Sequence, residues 1–180
     1  MLRRLVFLPI IFILLQAGSI SASSEMQSGR ALEIQAAFLI KFCSYVTWPE
    51  ERFSTPGDSV IVGILGRDPF GSKLDKIARS SRAGERNIEI RRFSEPDSLG
   101  QVHILFIAPS EVARLHKIVS EIPDSAVLLV SNVPGFLESF GMINFVLVAK
   151  KIRFDISRTN SEKAGLTISS KLLRVAHEIQ

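Results

Sequence analysis

Apolar positions along this chain fall into short dense runs separated by polar turns, and the runs keep two different rhythms. Val60-Ile61-Val62-Gly63-Ile64-Leu65-Gly66 is almost wholly apolar and rich in β-branched residues. It is too short for a buried helix, which predicts a strand covered on both faces. Directly after it, Asp68 can cap a helix N-terminus and Pro69 suits the first helical position. Ser59–Gly71 therefore reads as strand, tight turn and helix, the helix running from Phe70 to Arg79 with Leu74, Ile77 and Ala78 inward. Val102–Ala108 and Ala126–Val130 repeat the buried-strand pattern. Between them Pro109 stops the strand, and Ser110 is placed to cap a helix carrying Val112, Leu115, Ile118, Val119 and Ile122 at helical spacing. Ile88–Phe93 instead alternates Ile88, Ile90 and Arg92 against Glu89, Arg91 and Phe93, the pattern of a strand near a sheet edge.

Both ends of the chain depart from this alternation. Arg30–Thr47 is helical by composition and is ended by Pro49, just after Trp48. A polar stripe of Arg30, Glu33, Lys41, Ser44 and Thr47 faces an arc of apolar side chains that takes up nearly all the remaining circumference, among them Phe38, Phe42 and Tyr45. Either the helix is sunk deep in the domain, or its outer flank, with Trp48 and Phe53, meets another chain. At the far end, Ile143–Val148 and Ile152–Ile156 predict an antiparallel hairpin across Ala149-Lys150-Lys151. One amphipathic helix is expected from Asn160 or Ser161, with Ala164, Ile168, Leu172, Val175, Ala176 and Ile179 on its inner face and Leu166 and Leu173 off it. The sum is an α/β fold: a three-layer sandwich with a mostly parallel sheet, helices on both faces, and a C-terminal antiparallel hairpin followed by an amphipathic helix.

Composition changes this picture at the N-terminus first. Met1–Arg4 carries two positive charges, Leu5–Leu15 is apolar, and Ser19, Ser21, Ala22 and Ser23 are small. That predicts a secretory signal peptide over residues 1–22, with a retained N-terminal anchor as the alternative. Residues 23–29 are expected as a disordered polar tail, and residues 30–180 as the domain. The protein is thus expected outside the cytosol, with no spanning segment in the mature chain. The formal net charge is +4, and removal of Arg3 and Arg4 with the leader brings it closer to zero, too little for a nucleic-acid reader.

Chemistry is sparse. Cys43 is the single cysteine, so no intramolecular disulfide can form. It is either a small buried hydrophobe or half of an intermolecular bridge. His103 lies inside an apolar strand, His116 has no partner at helical spacing, and His177 sits in a last helical turn. No catalytic group, metal or cofactor is expected, and the chain is not read as an enzyme. Residues Gly63–Gly71 match neither G-x-G-x-x-G nor a phosphate-binding P-loop. In a parallel sheet, however, clefts form beyond the carboxyl ends of the strands, which makes Arg67, Asp68 and Ser110 candidate ligand-binding residues. Arg79, Arg82, Arg86, Arg91 and Arg92 make a basic, solvated face.

Several motifs, in order along the chain, resemble the YfiR-like periplasmic proteins. They are Ala36-Ala37-Phe38-Leu39-Ile40-Lys41-Phe42 running to Trp48-Pro49, Gly63–Gly71, His103–Ile107, Gly141–Phe145 with Ile152–Ile156, Ala164-Gly165-Leu166, and Ser169–Leu173. The resemblance implies a small periplasmic α/β domain, often dimeric, that restrains an inner-membrane diguanylate cyclase by binding its periplasmic part. Many such proteins have no assigned role, and the domain also occurs fused to sensor kinases. Two features depart from the family pattern: redox-controlled members carry paired cysteines, and the family's double glycine before Met-Ile is Phe140-Gly141 here. A regulatory binding protein is therefore expected, contacting the periplasmic domain of an inner-membrane signalling protein through Phe38, Phe42, Tyr45, Trp48, Phe53 and Phe140. The competing expectation is a small-molecule sensor that binds at Arg67, Asp68 and Ser110 and acts with a membrane receptor or sensor kinase.

Overall fold

The computed structural model describes residues 17–96, 99–122, 126–139 and 141–180, with side chains from residue 27 onward. Most of the expected leader, residues 1–16, and Phe140 lie outside the described residues. In chain order the elements are α1 (Ala17–Tyr45), β1 (Val46–Thr47), a 3-10 turn at Glu50–Arg52, β2 (Val60–Leu65), α2 (Ser72–Arg79), β3 (Ile88–Phe93) and β4 (Ile104–Ile107). A second 3-10 turn (Pro109–Arg114) leads into α3 (Leu115–Glu121), followed by β5 (Leu128–Ser131), β6 (Ile143–Val148), β7 (Lys151–Ile156), α4 (Arg158–Lys163), β8 (Thr167–Ile168) and α5 (Ser170–Leu173).

Six strands form one sheet in the order β3-β2-β4-β5-β6-β7, parallel from β3 to β6 and antiparallel between β6 and β7. All six residues of β2 are buried, and both of its backbone edges are paired. The strand therefore satisfies its polar groups laterally and its apolar side chains above and below. The chain leaves β2 towards β3 in one direction and leaves β4 towards β5 in the other. Right-handed crossovers then put α2 and α3 on opposite faces of the sheet, and α1 packs beside α2. This is the expected mixed α/β sandwich. The alternating strand, β3, is indeed an edge.

Four local expectations are corrected. α1 begins at Ala17, so it runs through residues 23–29, and it ends at Tyr45 rather than Thr47. Val46 and Thr47 are β-branched and precede Pro49, and they extend to pair with Ile168 and Thr167 of β8. Asp68 does not cap α2: its Oδ1 accepts the Phe70 N–H at 2.7 Å in a local turn, and the helix starts two residues later after Gly71. Nor does Ser110 cap a helix; its Oγ accepts the Arg67 N–H at 3.0 Å.

The largest correction is C-terminal. The single amphipathic helix is three short elements, because Gly165 adopts φ +74°. Its N–H donates to Glu162 O at 3.0 Å and that of Leu166 to Ser161 O at 2.9 Å, the two bonds of a glycine helix stop. Leu166, off the expected stripe, is thereby buried, while Val175 and Ile179 on it are exposed. The hairpin turn is also one residue tighter than expected, with Ala149 and Lys150 both at positive φ.

Asn160, at the start of this segment, ties it to the 132–141 loop. Its Nδ2 donates to Leu137 O at 3.0 Å and to Gly141 O at 2.9 Å. Asn160→Ala leaves both carbonyls unpaired and is expected to cost about 1–2 kcal/mol in urea unfolding. An unchanged midpoint contradicts this role.

Candidate functional site

The expected contact flank is built from α1 and the hairpin. Phe38 and Phe42 are four residues apart and share a helix face, and Phe145 and Phe154 are direct partners across β6 and β7. The four rings meet: Phe38 to Phe154 at 5.2 Å, Phe42 to Phe154 at 5.3 Å, Phe42 to Phe145 at 5.8 Å and Phe38 to Phe145 at 6.4 Å. Phe42 is wholly buried, so it is a core residue and not a surface anchor. Trp48 is also buried, its indole N–H donating to the His103 carbonyl at 3.1 Å. Phe38, Tyr45 and Phe53 remain half-buried. The broad apolar arc of α1 is mostly used to cover the sheet, and its open side carries Glu33, Ile34, Lys41 and Ser44.

Phe53 belongs to a second aromatic group at the amino ends of β2 and β4. Its ring stacks on His103 at 4.6 Å, with the Arg86 guanidinium 3.8 Å from its centroid. The Trp48 ring meets the imidazole edge-on at 5.8 Å. The His103 Nδ1 accepts the Ile61 N–H at 3.0 Å, and its Nε2 is buried with no partner. Burial, followed by the positive charge of Arg52, pushes this imidazole down to about 4. No cue in the sequence joined Trp48, Phe53 and His103, since the contact spans the whole of β2 and β3.

Of the expected ligand residues, Arg67 and Ser110 line one cleft, while Asp68 is not in its lining and binds Arg92, which is. The sheet order reverses at β2, and beyond the carboxyl ends of β2 and β4 lies an open cleft of about 550 Å³ lined by Gly66, Arg67, Arg92, Phe93, Ser94, Ser110 and Glu111. The residue missed in the sequence is Glu111, whose carboxylate, nearly buried, lies over Gly66. A Cβ on Gly66, which has φ +89°, would fall 2.4 Å from Glu111 Oε1. Ser110 Oγ donates to that oxygen at 2.9 Å, and Arg114 Nε donates to Oε2 at 2.5 Å. Arg114 is held in turn by Glu95 at 2.7 Å and Ser94 O at 2.8 Å. Asp68 accepts from Arg92 at 2.8 Å, and Asp75 takes the same guanidinium through two bonds of 2.6 and 3.1 Å. This hydrogen bonding from Arg92 lowers the Asp75 carboxyl below its ordinary range. The charged and hydroxyl groups of Arg92, Ser110 and Glu111 are thus paired with neighbouring side chains or backbone, while among the described residues of the lining no hydrogen bond or ion pair is made by the exposed Arg67 guanidinium or the Ser94 hydroxyl.

For a metal, the described residues offer Asp155, His177 and Glu178, whose ligand atoms lie within 4.8 Å of one another on the half-exposed end of β7 and the strand-like 177–180 segment. His177 Nδ1 is already 2.8 Å from Asp155 Oδ1. Cys43 is buried and its thiol is pushed up to about 12 by burial, which suits a packing role.

Residues 32–177 match the model of the YfiR/HmsC-like family. The chain belongs to that family. YfiR/HmsC-like proteins are known for periplasmic regulation of membrane signalling proteins, and theirs is not an enzyme family by name. No curated protein matches the chain. Among solved structures it is similar to a conserved domain protein from Vibrio cholerae O1 biovar El Tor, at 9% identity and a TM-score of 0.49 over 67% of this chain. The chain spans about half (54%) of that protein's length, and the likeness carries no argument about function. Among the described residues no helix is long and apolar enough to cross a membrane.

The cleft makes a testable contrast between two glycines. Gly66 and Gly71 both have positive φ, but a Cβ on Gly71 meets nothing within 4 Å. Gly71→Ala is expected to cost about 1–2 kcal/mol from backbone strain, and Gly66→Ala about 2–4 kcal/mol because it also displaces Glu111. Chemical denaturation of the two variants decides it, and equal losses would show that Glu111 does not pack there.

Proposed function

We propose that this YfiR/HmsC-like protein is exported to the periplasm and there binds the periplasmic domain of an inner-membrane signalling protein, with a diguanylate cyclase as the leading partner. The observation that carries the reading is the family match over nearly the whole domain. The contact surface we assign is the flank of half-buried aromatic residues Phe38, Tyr45 and Phe53, bordered by Ile34, with Phe140 as a further contact. Phe38 and Tyr45, partly packed and partly open, can anchor a partner at low ordering cost, whereas Phe53 lies between His103 and Arg86 and adds only what remains exposed of its ring; a few such anchors carry most of an interface's affinity. Restraint follows if the bound partner conformation is the inactive one, since a ligand shifts an equilibrium by its differential affinity for the two states. The resemblance also points to a homodimer as the form that binds. The small-molecule reading has less support, because the polar groups of the cleft beyond β2 and β4 are largely satisfied by each other.

Co-purification from detergent-solubilised membranes tests the surface. Wild type is expected to retain a membrane signalling protein, Tyr45→Asp to lose recovery about tenfold, as removal of one interface anchor does, and Val112→Asp, at the opposite end of the sheet, to retain it. Equal recovery by all three proteins, or none by folded wild type, overturns the assignment.

A further inference from the structure

We propose that the Trp48–Asp58 segment is a clasp held shut by neutral His103 and released when that imidazole takes up a proton. The inference is independent of the partner and rests on how the segment is attached. Its attachments converge on one residue and its carbonyl neighbours. Trp48 Nε1 donates to His103 O at 3.1 Å, and Arg52 Nη2 donates to Val102 O at 2.7 Å. Phe53 lies flat on the imidazole, 16° from parallel. Arg86 closes the outer side: it covers Phe53 and donates to Thr55 O at 3.1 Å and Asp58 O at 2.9 Å.

The protonation state matters to the contacts the ring itself makes, the bond from Ile61 and the stacking of Phe53. The Ile61 N–H points at Nδ1, so the ring must be neutral with its hydrogen on Nε2, which is buried and unpartnered. A proton added at Nδ1 turns that acceptor into a donor facing another donor. It also places a charge beneath Phe53, where the charged groups acting on the ring are Arg52, Arg86 and Asp58. Two of these repel it. β2 contributes only the Ile61 backbone at this point, and β5 contributes the Leu128 N–H, which donates to the His103 carbonyl at 2.8 Å. The folded imidazole therefore holds its proton less well than an ordinary histidine, down to about 4. Because that value is depressed, the clasp is fully closed above the ordinary histidine range near 6.5 and weakens as the pH falls towards about 4. The sheet does not depend on this ring: β2 keeps its lateral pairs to β3 and β4.

Trp48 is the single tryptophan of the chain and touches the ring, so its emission reports the clasp directly. Emission and far-ultraviolet circular dichroism are recorded together from pH 8 to pH 3.5. Wild type is expected to shift its emission to longer wavelength, with a midpoint between pH 4 and 5, while the dichroism holds. His103→Gln keeps an acceptor for Ile61 but cannot titrate, and is expected to show no shift in that range. Phe53→Leu uncovers the imidazole and is expected to raise the midpoint by at least half a pH unit, and it serves as the second test if the glutamine variant does not fold. A flat wild-type titration, a coincident loss of dichroism, the same transition in His103→Gln, or an unmoved midpoint in Phe53→Leu overturns the proposal.

Discussion

Two phenylalanines one helical turn apart on α1, set against a cross-strand pair of phenylalanines on the β6–β7 hairpin, hold the first third of the domain to its last third. Ring separations of 5.2 to 6.4 Å, with one stacked, one tilted and two edge-on arrangements, are those of attractive aromatic pairs. The bond from Ser169 N–H to Tyr45 O at 2.9 Å and the short β1–β8 ladder complete the same closure. This constraint decides what the long helix can offer to a partner. With Phe42, Leu39, Cys43 and Ala36 committed to the core, only a strip along one side of α1 remains open.

The two ends of the parallel sheet are finished differently. At the amino ends of β2 and β4, Trp48, Phe53 and His103 form an apolar seal with one buried orphan nitrogen. At the carboxyl ends, where a doubly wound sheet commonly receives a ligand, the chain supplies its own carboxylate. Glu111 lies over Gly66 and is bound by Ser110 and Arg114. The exposed ion pairs around it contribute little each. The pair between nearly buried Glu111 and the more exposed Arg114 fixes the turn after β4, and the position of the Glu111 carboxylate explains why Gly66 has no room for a side chain.

Much of this was legible in the sequence where a single physical pattern acted alone. Dense β-branched runs marked the buried strands, alternation marked β3 as an edge, and the change of rhythm after Val130 marked the antiparallel hairpin. The errors arose where two signals overlapped. Leu172 and Ile168 fitted a helical stripe, but Gly165 two residues before β8 allowed a helix stop, and the pairing of Val46 with Ile168 drew that segment into a ladder. Asp68 and Ser110 have the local chemistry of helix caps, but their oxygens are claimed by Arg92, Phe70 and Arg67. The candidate contact residues were chosen from an apolar arc whose use by the hairpin could not be seen without knowing that Phe145 and Phe154 pair. Glu111 had no signal at all, since an acid in the first turn of a helix is ordinary.

The functional account joins an exported α/β domain to a membrane partner through surface contact alone. On that proposal the YfiR/HmsC-like fold acts through a sheet, a helix packed across it, and the partly open side chains of Phe38 and Tyr45. The most direct measurement of this claim is the cyclic-di-GMP level of the native host after deletion of the gene, with complementation by the full chain or by residues 23–180, which omit the expected leader. The account predicts that the level rises on deletion and is restored by the full chain only. An unchanged level, or restoration by the leaderless form, would contradict it.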